Sequence, residues 1–127
     1  MADDKNHGNP DGNPSACRHR LLSVFTTSEK QHLVAQSFRD WELNQVDFAG
    51  ADLRGTRFVN MSLKGCDFSK ADLRGADFIE CDLRGANFDQ AIFGHNRFAN
   101  SCLIDAIGIS KRLRGYIAAE GGVFWYC

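Results

Sequence analysis

One large apolar side chain, Leu or Phe, returns at every fifth position between residues 36 and 105. The series runs Phe38, Leu43, Phe48, Leu53, Phe58, Leu63, Phe68, Leu73, Phe78, Leu83, Phe88, Phe93, Phe98 and Leu103. An amphipathic helix repeats at about 3.6 residues and a half-buried strand at about 2, so a period of five fits neither. It requires a chain that turns a corner every five residues and buries one large group per side. These residues are the expected structural core.

The position two residues before each large one holds mostly small groups: Val46, Ala51, Thr56, Met61, Cys66, Ala71, Ala76, Cys81, Ala86, Ala91, Asn96 and Ser101. Side chains two apart on an extended chain point the same way, so each side should bury one large and one small group. The residue between them is mostly polar, as at Asp47, Asp52, Asp67, Asp72, Asp77, Asp82 and Asn87, and should face water. Replacing such a residue, Asp67 by Ala for example, is therefore expected to change stability by less than about 0.5 kcal/mol. After each centre come corner residues, among them Gly50, Gly55, Gly65, Gly75 and Gly85, for which a positive φ costs little.

The copies Ala51-Asp52-Leu53-Arg54-Gly55 and Ala71-Asp72-Leu73-Arg74-Gly75 resemble the pentapeptide-repeat family, whose motif is A(D/N)LXX with Leu or Phe at the centre. The resemblance covers about 70 of the 127 residues. It implies an all-β solenoid, a right-handed quadrilateral (four-sided) β-helix with four pentapeptides to the coil. Steps of 20 then stack Phe38, Phe58, Phe78 and Phe98 in one column and Phe48, Phe68 and Phe88 in another. Leu43, Leu63, Leu83 and Leu103 make a third, and only the column of Leu53, Leu73 and Phe93 is mixed.

Both ends of the repeat call for short capping helices, because a stack of strands exposes unpaired backbone at its first and last coils. Residues 1–20 are polar and expected to be a disordered tail. Residues 21–36 form the N-terminal capping segment. Its helix starts at the capping-box pair Ser28 and Gln31, and runs to about Gln36 with Leu33 and Val34 facing inward. Trp41, too large for the small interior position, should plug the imperfect first coil. The β-helix spans 37–108 and stops where Ala106-Ile107-Gly108 lacks a centre. Residues 109–127 are a C-terminal capping helix and apolar tail. Ser110 reads as the N-cap of a helix from Lys111 to about Glu120, with Leu113, Tyr116 and Ile117 on one face. Gly121 and Gly122 stop it. Many family members similarly end in a helix, a glycine and a short apolar tail, so the chain is expected to end naturally here. Leu113, Tyr116, Ile117, Phe124 and Trp125 form a candidate cap or dimer surface, with apolar area for a lid alone or for a homodimer.

The five cysteines, Cys17, Cys66, Cys81, Cys102 and Cys127, show no CxxC and no pairing pattern. They are expected to be structural thiols in a reducing cytoplasm, with Cys66 and Cys81 acting as small interior hydrophobes. The four histidines offer no zinc spacing. There is no apolar run of membrane length and no signal-peptide start, so a cytoplasmic, bacterial-type protein is expected. A G-x-S-x-G elbow, a phosphate-cradling loop and H-E-x-x-H are all absent. The reading is accordingly not an enzyme, with no catalytic, metal or cofactor-binding residues and no cofactor.

Solenoids present flat stacked faces, so the expected function is a non-catalytic protein-interaction module whose partner the sequence does not name. The family resemblance implies an alternative. Some pentapeptide-repeat proteins mimic duplex DNA, bind DNA gyrase or topoisomerase IV, and protect it from quinolones or peptide toxins. Charge disfavours that alternative here. Eleven acids against eight bases between residues 36 and 107 leave −3, on a column expected to be about 17 Å tall. Duplex DNA of that length carries about ten charges. Direct nucleic-acid binding through Lys111, Arg112, Arg114 and the cluster at Arg18 is not expected, since no aromatic–basic interleaving accompanies them.

Overall fold

The computed structural model describes residues 33–125 and residue 127. The tail of residues 1–20 and the capping helix begun at Ser28 lie outside the described residues.

Backbone pairing repeats at a spacing of 20 residues. Strands β1 (Ser37–Arg39), β2 (Arg57–Val59) and β3 (Asp77–Ile79) run parallel in that order, with Phe38 opposite Phe58 and Phe58 opposite Phe78. Single parallel bridges join the other sides, Glu42 to Ser62, Asp47 to Asp67 and Asp52 to Asp72, each continued 20 residues on. The chain is a β-solenoid. Its extended pieces are short because the backbone turns after every fifth residue. The second residue after each core centre has positive φ, from Gln45 (60°) and Gly50 (70°) to Asn100 (57°) and Asp105 (62°). Nine of these corners carry a non-glycine residue, so the coil imposes a left-handed turn that most side chains adopt at a cost.

Burial follows the five-residue frame. Every large centre from Phe38 to Phe88, together with Phe98 and Leu103, is buried. Phe38, Phe58, Phe78 and Phe98 stack with ring centroids 5.5, 5.0 and 5.4 Å apart. Phe48, Phe68 and Phe88 stack at 5.1 and 5.3 Å. The two columns meet edge to face, as at Phe68 and Phe78 with an interplanar angle of 83°. Offset-stacked and edge-to-face pairs are the favoured aromatic geometries, and the solenoid uses one along its axis and the other across it. Phe93 departs from the pattern: it is half-buried, at the coil side nearest the C-terminal helix.

The polar residues of the small interior column are each satisfied from an earlier coil. Thr56 Oγ1 donates to the Leu33 carbonyl, Cys66 Sγ to Leu43, Cys81 Sγ to Phe58 and Ser101 Oγ to Phe78. Asn96 Nδ2 donates to the carbonyls of Leu73 and Ala76, at 2.6 Å each. All but the bond from Asn96 to Ala76 reach a carbonyl 23 residues back. A thiol, hydroxyl or amide can thus stand where an alanine would, without an unpaired polar atom.

The start of the described chain differs from the helix expected through Gln36. Val34 and Ala35 form a turn, Ala35 has φ 59°, and its N–H donates to the Arg54 carbonyl, so the coil geometry is already present there. Leu33 packs half-buried against the core, whereas Val34 is 39 % exposed rather than inward-facing. Trp41 is half-buried beside Phe38, with ring centroids 5.5 Å apart, and fills the first coil as expected. At the other end Gly108 takes the place of a centre. A Cβ there would stand 2.3 Å from the Asp89 nitrogen, so only glycine lets the chain leave the last coil this close to it. Helix α1 (Lys111–Ala119) follows, with Ser110 accepting from the Leu113 N–H as N-cap.

Candidate functional site

The outward polar positions do more than face water. Asp47, Asp52, Asp67, Asp72, Asp82 and Asn87 each accept, through Oδ1, the backbone N–H two residues on. Each therefore holds the turn that follows it. This corrects the expectation that Asp67 is a solvated residue of little consequence: Ser69 N–H lies 2.9 Å from its carboxylate, which is half-buried.

Three of these aspartates also pair with the arginine two residues on. Arg54, Arg74 and Arg84 each place Nε and Nη2 on the two carboxylate oxygens of Asp52, Asp72 and Asp82, at 2.6–2.9 Å. The arginine hydrogen bonds outweigh partial burial and hold all three carboxyls below the ordinary aspartate value. Asp77, buried at 9 % exposure, bonds Arg97 at 2.9 Å and lies 3.9 Å from Arg57. Four of the column's eleven acids are thus paired with arginines of the same column.

The predicted C-terminal surface divides when placed on the solenoid. Ile117 and Phe124 are buried, and Leu113 and Tyr116 are half-buried against the core. The tail then runs as one more strand beside the last coil. Leu103 N–H donates to the Val123 carbonyl at 2.7 Å, and Val123 N–H to Ser101 at 2.8 Å. Phe98 and Asn100 donate to Glu120 and Gly121. These bonds occupy the edge that a last coil would leave open. Tyr116 adds a link of its own, its hydroxyl accepting from the Asn96 N–H at 2.7 Å, and Arg114 stacks over Phe124 at 4.2 Å. Trp125 stays outside this packing and is 62 % exposed. Between helix and coil opens a cleft of about 280 Å³ lined by Phe93, Gly94, Ser110, Arg112, Leu113 and Tyr116.

The cysteines require a correction. Cys102 and Cys127 form a disulfide, with Cα atoms 5.9 Å apart, and are not thiols. Cys66 and Cys81 are free and buried, and burial pushes both thiols up to about 12, which leaves them unreactive. One sequence feature sets Cys102 apart, though it does not name its partner. Cys102 occupies the outward position of its pentapeptide, unlike Cys66 and Cys81, and Cys127 ends a tail expected to cover that coil. Among the described residues, no three His, Cys, Asp or Glu side chains group closely enough to hold a metal ion. No described helix is long and apolar enough to cross a membrane.

Geometry and repeat define a class, and the comparisons agree with it. The profile of pentapeptide repeats matches residues 42–78 and 71–107, in eight copies. The chain belongs to the pentapeptide-repeat family. Among solved structures it is similar to a pentapeptide-repeat protein, Rfr23, from the cyanobacterium Cyanothece 51142, at 26 % identity and TM-score 0.54. That alignment covers 55 % of this chain and 48 % of that one. It is also similar to a trypsin-treated variant of QnrB1, a plasmid-mediated fluoroquinolone resistance protein, at 25 % identity and TM-score 0.50. There it covers 61 % of this chain and 53 % of that trypsin-treated chain. The chain therefore spans about half the length of each of these structures. No curated protein sequence matches it.

Proposed function

We propose that this chain is a non-catalytic protein-interaction module. It acts in the cytoplasm as a right-handed, four-sided β-helix closed at its C-terminal end by α1 and the tail. Membership of a repeat family supports the reading, since a stacked solenoid offers flat, regularly spaced faces to a partner. The observation that carries it is Trp125, a large aromatic 62 % exposed on a tail whose neighbouring Phe124 is buried. Tryptophan is among the residues most enriched at energetic centres of protein interfaces, and nothing in the packing of the lid requires it to stand outside. A partner protein, or a second copy of this chain, would bury it.

The test is binding by the full-length chain and by Trp125→Ala. A co-purifying protein, or a dimer by light scattering, should be lost with Trp125→Ala while the circular dichroism spectrum is unchanged. Binding that survives the substitution unaltered removes Trp125 as the anchor.

The similarity to QnrB1 favours a second reading, a DNA-mimicking binder and protector of DNA gyrase or topoisomerase IV. Electrostatics weigh against it. Asp52, Asp72, Asp77 and Asp82 are paired with arginines of the same column, and a duplex mimic needs its negative charge unpaired, at about one per 1.7 Å.

A further inference from the structure

We propose that the Cys102–Cys127 disulfide is a redox latch on the C-terminal tail, opened by exchange with a low-molecular-weight thiol of the glutathione class. The bond joins the last coil to the last residue across a separation of 25, closing a loop that contains α1 and the tail strand. Its two ends differ in access: Cys102 is buried at 7 % exposure, whereas Cys127 is exposed.

The bond adds a covalent tie to the contacts that the described tail residues make with the last coil. Phe124 is buried under Arg114, Val123 makes two backbone hydrogen bonds, and Trp125 is 62 % exposed. A surface segment held by a few backbone hydrogen bonds opens locally more easily than the stacked core. The tie is covalent here.

The exchange balances as follows. A small-molecule thiolate attacks the sulfur of Cys127, the more exposed residue of the pair, the protein S–S bond breaks, and its electron pair leaves on Cys102, which takes a proton. A second thiol then cleaves the mixed disulfide at Cys127. The protein gains two thiols, and the small molecule leaves as its own disulfide. Cys66 and Cys81, buried inside the coils, take no part. Reduction frees the tail, and with it the edge of the last coil, whose Phe98, Asn100 and Leu103 amides now donate to tail carbonyls. That edge then becomes available for pairing with another strand. Disulfides in reducing compartments are usually transient or redox-sensing, and this placement gives one something to gate.

Amide hydrogen exchange tests the latch on the full chain without any partner, so its outcome is separate from that of the binding reading. Three samples are compared: oxidised protein, protein reduced with dithiothreitol, and Cys127→Ser. The Leu103 and Val123 amides should exchange at least about tenfold faster in the second and third than in the first. Leu63 and Phe68, in the middle of the stack, should be unchanged. Equal protection of Leu103 and Val123 in all three samples overturns the latch. So does loss of protection throughout the stack in Cys127→Ser, which would make the bond a support of the whole fold. Failure to recover a linked Cys102–Cys127 peptide from the oxidised protein overturns it as well.

Discussion

An aspartate between two interior residues carries three duties in this chain: it meets water, accepts the N–H two residues ahead, and in three repeats grips an arginine. The second duty sets the cost of losing it. Asp67→Ala removes the acceptor of the Ser69 amide and should destabilise by about 1 kcal/mol in denaturant titration, above the value a merely solvated residue would give. The third duty makes stability depend on acidity. Asp52, Asp72 and Asp82 lie below the ordinary aspartate value of 3.8 in the folded state. Their contribution is fully present above that value and is lost as pH falls below it, through their lowered folded values. Denaturation midpoints should therefore drop as the pH falls below about 4. The triple Asp→Asn variant should flatten that slope while keeping the turns, because Asn87 already serves the Asp89 amide in the same way.

At the scale of the element, the unit is the coil side, and its worth lies in the column it joins. Phe68 stacks between Phe48 and Phe88 and meets Phe58 and Phe78 edge-on. Truncation to alanine opens a cavity that neighbouring coils, themselves held in register, cannot collapse into. Phe68→Ala should cost about 3–5 kcal/mol in equilibrium unfolding, several times the effect of Asp67→Ala one residue away. Helix α1 depends on something more local. Tyr116 gives the Asn96 amide its acceptor, and Tyr116→Phe leaves that half-buried N–H unpaired at a cost of about 1–3 kcal/mol. Exchange at Asn96 and Phe98 should rise in this variant while the Phe68 amide keeps its protection.

For the whole molecule, the number of coils and the pairing of charge decide what surface is offered. Family members of similar fold include a fluoroquinolone resistance protein about twice the length that this chain matches. The match covers 53 % of that structure, and four of the eleven acids in the column here are paired with arginine. Purified protein is expected neither to inhibit gyrase supercoiling nor to rescue it from a quinolone at micromolar concentration. A dose-dependent effect in either assay would reverse the order of the two functional readings.

The sequence by itself determined the repeat, the core centres and the small interior column, because each is set by burial recurring at a fixed step; the coil of 20 was implied by the family resemblance. Fourteen copies of one local choice leave little room for another register. Ser110 and α1 were legible for the same reason, since a cap and an i, i+3, i+4 face are local. Tertiary structure alone decided the features that occur once. Phe93 lies half-buried because α1, and not another coil, follows it. Asn96 finds Tyr116 and Cys102 finds Cys127 only where the tail turns back on the last coil, and no periodicity marks residues that meet once across 20 or 25 positions. The outward aspartates sit between these cases. Their positions were plain in the sequence, but their bonds to the backbone depend on a turn with positive φ that only the closed coil imposes.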